Sequence, residues 1–229
     1  MLSAAEWSIV SLTLQVGGAA MIGTLPVAFA LAWLLARGRF PGKLVLDGLV
    51  HLPLVLPPVV TGWLLLLAFA PGGPLGRVLQ SWFGVTLLFN WAGAALASGV
   101  MALPLMVRAM RLSIEAVDAR LENAARTLGA GRWRVFWTIT LPLSMPGLLA
   151  GLVLGFARSI GEFGATITFV ANVPGQTQTL PLAIYSALQL PDGEGVVIRL
   201  ASISVALALA ALLGSAALAR RAGRGRHGV

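Results

Sequence analysis

Five long apolar runs, separated by polar breaks that are basic at every second break, constrain this chain more than any other feature. The runs cover about 12–36, 44–70, 85–107, 142–160 and 196–219. A helix needs about 20 apolar residues to cross a hydrocarbon core near 30 Å thick, and the runs match that length. In lipid the backbone N–H and C=O groups must be satisfied within the protein, which favours helices for such runs. The composition agrees: 58% of residues are hydrophobic and 10% charged, where soluble domains carry about a quarter charged. The expected fold is an all-α integral membrane protein of about five transmembrane helices, in one domain over 1–229.

The formal charge of +8 is distributed by topology. Arg37, Arg39 and Lys43 form one basic cluster. Arg108, Arg111, Arg120, Arg126, Arg132 and Arg134 form a second, and Arg220, Arg221, Arg224 and Arg226 a third. Clusters in alternate breaks are what the positive-inside rule predicts for cytoplasmic segments. They place the N-terminus outside, the C-terminus in the cytoplasm and the loop 108–141 on the cytoplasmic side. A nucleic-acid surface would not be divided this way, so no nucleic-acid partner is expected. The chain has no cysteine and only His51 and His227 as imidazoles, so no metal set and no cofactor is expected. The start of the chain lacks the basic region of a signal peptide.

Several stretches leave two readings open. Pro53, Pro57 and Pro58 interrupt the second run, giving either a kinked buried helix or a broken helix bordering a pathway. His51 reads as a packed, hydrogen-bonded residue. The stretch 71–84 reads as an external loop, with Trp82, Phe83 and Trp91 suited to an interface. Gly147, Gly151 and Gly155 give a bare stripe where another helix can approach closely. Arg158 and Glu162, four apart near membrane depth, read as an ion pair or as part of a polar segment at an anion pathway. Ser159, Glu162, Thr166 and Thr168 are the pathway candidates, although such hydroxyls commonly bond their own helix backbone. In the external loop 173–195, the part 180–190 forms a short helix or dips back into the membrane.

The polar island 118–142, DARLENAARTLGAGRWRVFWTITLP, stands apart. Leu121, Ala124, Ala125 and Leu128 recur at i, i+3, i+4 and i+7, one face of a helix. Asp118 suits the N-cap, Gly129 suits a left-handed end, and Glu122 with Arg126 has the spacing of a favourable pair. The helix is amphipathic, and it either lies on the membrane surface or meets a partner.

The run 123–142 resembles the loop of importer-type ABC transporter permeases: Glu-Ala-Ala, three residues, Gly, nine residues, Ile-x-Leu-Pro. Ala124, Ala125, Gly129, Ile139, Leu141 and Pro142 fill those places. The glutamate place holds Asn123, with Glu122 one residue earlier and turned by about 100° on a helix. The stretches 51–60, 157–165, 172–175 and 179–182 are similar to the molybdate permeases of bacterial ABC importers, with sulfate permeases alike around Gly161-Glu-Phe-Gly164. The resemblance implies a multi-pass protein of the bacterial inner membrane, a homodimer with two cytoplasmic ABC ATPase subunits and an external molybdate-binding protein, carrying molybdate or tungstate. It implies an ATPase-coupling helix at Leu121, Glu122, Asn123, Ala124, Ala125, Arg126, Leu128 and Gly129. The chain lacks a Gly-x-x-x-x-Gly-Lys-Ser/Thr loop for nucleotide phosphates, so ATP hydrolysis belongs to another subunit. A sulfate permease and a stand-alone secondary transporter are the alternatives. A membrane enzyme would need a metal set or a nucleophile–base pair, and neither is visible.

Overall fold

The structure, a computed structural model, describes residues 3–224, with side chains through residue 214. The basic cluster Arg220–Arg226 lies outside the described side chains. All regular elements among the described residues are helical. Helix α1 spans Ala4–Arg37 and begins with a capping box, in which Ser3 Oγ accepts from the Glu6 amide and Glu6 Oε2 from the Ser3 amide. That cap starts the helix eight residues before the apolar run expected at 12. At 1.5 Å per residue its length is about 50 Å, enough to cross a bilayer core with excess.

The second run is broken. Helix α2, Lys43–Val55, and α3, Pro58–Phe69, meet at 115°. Leu56 is extended (φ −69°, ψ 142°) because it precedes a proline, and Pro57 and Pro58 offer no N–H to carry α2 onward. The helix is thus broken and not merely kinked. The stretch 71–84, expected as loop, contains helix α4, Pro74–Phe83. Its proline at the first turn favours a helix start. Helix α5, Trp91–Glu115, starts where Asn90 Oδ1 accepts from the Ala92 and Gly93 amides. The cap shifts this span from the expected 85–107, and it carries Arg108 and Arg111 on helix instead of in the loop.

Next come α6 (Ala119–Thr127), α7 (Arg132–Val135), a π-helical turn (Phe136–Thr140) and α8 (Leu141–Ile160). Helices α9 (Gly164–Val170), α10 (Leu180–Leu188) and α11 (Glu194–Arg224) complete the chain. Four helical stretches among the described residues are long and apolar enough to cross a membrane, and the bent pair α2–α3 makes a fifth if counted as one span.

Helix α5 is the centre. It packs along both α1 and α8, and Met101, Met106 and Met110 of α5 are buried with Val16, Ala20, Ala28 and Ala32 of α1. Small residues let these helices approach closely, the usual way for spans to associate where lipid and side chain are equally apolar. The outer helices are pinned by charge. Arg111 Nη1 on α5 lies 3.0 Å from Asp47 Oδ1 on α2, and Arg199 Nε on α11 lies 2.8 Å from Glu6 Oε1 on α1.

The approach of α8 to α5 is tightest at Gly147. A Cβ there would collide with Ser113 Cβ and lie 2.8 Å from the Ala109 carbonyl oxygen, whereas at Gly155 it would meet the ends of Met106 and Met21 at 2.8–2.9 Å. Methionine side chains can swing aside, but a helix backbone cannot. Gly147→Ala is expected to destabilise the protein by about 1–3 kcal/mol and Gly155→Ala by less. Thermal unfolding in detergent should rank them so; equal midpoints would show that the α5–α8 contact is not tight.

Candidate functional site

The two ends of α6 form as read from their residue types. Asp118 Oδ1 accepts from the Arg120 amide at 2.8 Å and starts α6. At the other end Gly129 has φ +85°. The Gly129 amide bonds the Arg126 carbonyl and the Ala130 amide the Ala125 carbonyl, each at 3.0 Å. That pair of bonds is a Schellman end, and it needs a residue without a Cβ in the left-handed position.

The two sides of α6 differ. On the apolar stripe, Leu121 is 50% exposed and Leu128 88% exposed, with Ala124 exposed and Ala125 half-buried. Among the described residues, no element covers the two leucines fully. Glu122, about 100° away, is only 7% exposed. Arg37 Nη2, at the last turn of α1, donates to Glu122 Oε1 at 2.8 Å, and Thr140 Oγ1 donates to the same oxygen at 2.7 Å. Arg37 also reaches the Ile114 carbonyl near the end of α5 at 3.4 Å. One carboxylate thus joins α6 to the ends of α1 and α5 and to the π-helical turn. The Glu122–Arg126 pair expected from spacing does not form; Arg37 and Thr140 take its place. Arg126 and Asn123 are exposed. Sequence reasoning missed Arg37 and Thr140. The one signal for Thr140 was a second hydroxyl in an aromatic run, and a basic residue at a span end gave no sign of its partner 85 residues away.

Beside this junction lies a cavity of about 1050 Å³, between the last turns of α1, the inner side of α6 and α7. Phe136 is the centre of its aromatic wall. Trp33 stands edge-on to it with centroids at 5.1 Å, Phe29 and Trp133 lie at 6.2 Å, and Trp137 packs edge-on at 5.1 Å from outside the cavity lining. The π-helical turn carries Phe136 and Trp137 as well as Thr140, and such turns frequently mark functional sites.

The second candidate region is the break between α8 and α9. Arg158 Nη1 lies 2.7 Å from Glu162 Oε2, an ion pair whose angles fall outside those of a hydrogen bond. Glu162 Oε1 accepts from the Ala165 amide at 2.8 Å and so caps α9. Thr168 Oγ1 donates to the Gly164 carbonyl on its own helix at 2.9 Å. Ser159 and Thr166 are different: both are buried, and neither hydroxyl has a partner. Thr61 on α3, which was not singled out from the sequence, is a third buried hydroxyl without one. Helix α3 lies directly against α9, since a Cβ at Gly62 would stand 2.9 Å from Thr168 Cβ. His51 Nδ1 is 2.8 Å from the Asp47 carbonyl oxygen one turn earlier.

Residues 25–224 match the family described as "Binding-protein-dependent transport system inner membrane component". The chain is 58% identical over 223 residues to the molybdenum transport system permease protein of Escherichia coli (strain K12), covering 96% of this chain and 97% of that one. It is 56% identical to the corresponding protein of Haemophilus influenzae, over 94% of each. Identity to the sulfate transport system permease protein CysT of E. coli K12 is 38%, over 85% of this chain and 69% of that one. The fold matches a bacterial alginate ABC transporter solved in complex with an alginate pentasaccharide-bound periplasmic protein, with TM-score 0.75 at 19% identity, over 96% of this chain and 80% of that one. With the family match covering most of its length and its helices able to cross a bilayer, the chain belongs to the binding-protein-dependent transport system inner membrane components, multi-pass proteins of the inner membrane.

Proposed function

We propose that this chain is the permease subunit of an ATP-driven importer of molybdate, and of tungstate as its chemical analogue. It would work as a homodimer with two cytoplasmic ABC ATPase subunits and an external binding protein. The N-terminus and the mouth of the pathway face outward, and 108–141 faces the cytoplasm. The observation that carries this reading is the division of α6 into an uncovered leucine stripe and a face anchored through Glu122. A helix fixed on one side and apolar on the other is suited to receive a push. ATPase closure against Leu121, Ala124, Ala125 and Leu128 would pass through the Glu122–Arg37–Thr140 junction to α1, α5 and α8. The choice of oxyanion follows the relatives, 58% identity to a molybdenum permease against 38% to a sulfate permease.

The charges of the spans suit an importer that must release a dianion. Arg158 is matched by Glu162 and Arg199 by Glu6, so neither presents an unmatched positive charge that would trap the anion. Neutral hydroxyls steer more gently, and Ser159, Thr166 and Thr61 are among the described buried hydroxyls that lack a partner. In this scheme Glu162 and Thr168 shape the α8–α9 turn beside the pathway, and selectivity resides mainly in the binding protein.

Reconstituted with its ATPase, the permease should respond with increased ATP hydrolysis to binding protein loaded with molybdate or tungstate. Stimulation by sulfate alone would overturn the choice of substrate, and oxyanion uptake without any ATPase would overturn the class. Leu128→Ser, at an exposed position, should change stability by less than about 0.5 kcal/mol yet reduce co-purification of the ATPase and coupled hydrolysis; full coupling in that variant would count against the docking stripe. Glu122→Ala strips Arg37 and Thr140 of their acceptor. Breaking a buried pair costs about 3–5 kcal/mol, and because the Arg37 side chain is 28% exposed a loss of roughly 2 kcal/mol is expected. Trypsin should then cut faster at Arg126 and Arg132, and unchanged cleavage would mean that the carboxylate does not hold α6.

A further inference from the structure

The cavity beneath α6 has a polarity that the coupling role leaves unused. Along α1 its wall changes from Phe29 and Trp33 to Arg37, about 12 Å further on by helix rise. Opposite stand Arg126 of α6 and Arg132 and Trp133 of α7. Three guanidinium groups therefore surround the space and a single carboxylate, Glu122, faces them, already bonded to Arg37. Neither Arg126 nor Arg132 has an ion-pair partner among the described residues, and Arg37 Nε is buried without an acceptor. A buried donor left unpaired is costly, and an uncompensated pair of arginines beside an apolar trough calls for an anion with a greasy part.

We propose that this cavity binds an anionic phospholipid, with the headgroup phosphate among Arg37, Arg126 and Arg132 and an acyl chain along Phe29 and Trp33. The side of α6 that lines the cavity, centred on Glu122, Asn123 and Arg126, lies about 160° around the helix from the Leu121–Leu128 stripe. If the stripe meets the ATPase, the opposite side faces the bilayer at headgroup depth. The assignment rests on the proposed function for that orientation alone. Trp133, 77% exposed, suits the same level, where indoles are enriched. Basic pockets among spans on the cytoplasmic side are recognised lipid-headgroup sites in membrane proteins. The lipid would support α6 from beneath and make coupling sensitive to membrane composition.

The test uses the full-length permease, alone and with its ATPase, in phosphatidylcholine vesicles containing phosphatidylglycerol, with retained lipid counted after extraction by native mass spectrometry. Phosphatidylglycerol should be retained over phosphatidylcholine. The double variant Arg126→Ala with Arg132→Ala should lower that preference by about thirtyfold, from the loss of two charges near the surface. The variant Arg126→Lys with Arg132→Lys should keep most of it, since lysine also binds phosphate as a point charge. Retention in the lysine pair with loss in the alanine pair separates charge from misfolding. Equal retention in wild type and the alanine pair would overturn the proposal. So would displacement of the lipid by millimolar inorganic phosphate, which would mark a site for free anions. Loss of lipid whenever the ATPase is bound would assign these arginines to that partner instead and equally overturn it. Leu128→Ser should leave lipid retention intact, so failure of the docking stripe and failure of the lipid site read out separately.

Discussion

A carboxylate that is 7% exposed in a protein of this composition must be paired, and pairing Glu122 dictates much of the geometry around it. Leaving it without partners would cost several kcal/mol, so α6 is held where Arg37 and Thr140 can both reach one oxygen. That brings together the C-terminal end of α1, the end of α5 through the Ile114 carbonyl, and the π-helical turn ahead of α8. These are the helices that form the core, so the small polar helix is joined to the body of the protein. Its leucines are left uncovered as a consequence, because a nine-residue helix cannot bury both sides at one junction.

The same rule holds for four other acids. Glu6, Asp47, Glu115, Glu122 and Glu162 each face an arginine. The acids are few, and they are placed where a basic side chain would otherwise be unmatched within or beside the spans. Where charge is cancelled in this way, the polarity that remains is hydroxyl and backbone. Thr61, Ser159 and Thr166 lie near two helix breaks, at Pro57 and at Gly161, where a continuous span would have left no free backbone groups.

Legibility in the sequence tracked the range of the interaction. The caps at Asp118 and Gly129 are decided by residues within one turn of each other, and residue types were enough to find them; the prolines at 57 and 58 marked a disturbance but did not choose between a kink and a break. Boundaries set by competing local signals were harder. Helix α1 begins at Ala4 because a capping box extends it beyond the apolar run, and α5 begins at Trp91 because Asn90 caps it. Glu122 and Arg126 have the right spacing for a pair, but a partner that is buried and already aligned by α1 prevails over an exposed neighbour.

By itself the sequence determined that the chain crosses a membrane as helices, and that 118–142 carries an amphipathic helix with a defined start and stop. These follow from hydropathy, charge and backbone chemistry read over a few residues at a time. Only the tertiary structure decided which side of that helix is anchored, the identity of Arg37 and Thr140 as its anchors, the 115° bend between α2 and α3, and the cationic cavity beneath α6. Each of these depends on side chains or segments brought together by the packing of α1, α5 and α8, and such proximity leaves no periodic trace along the chain.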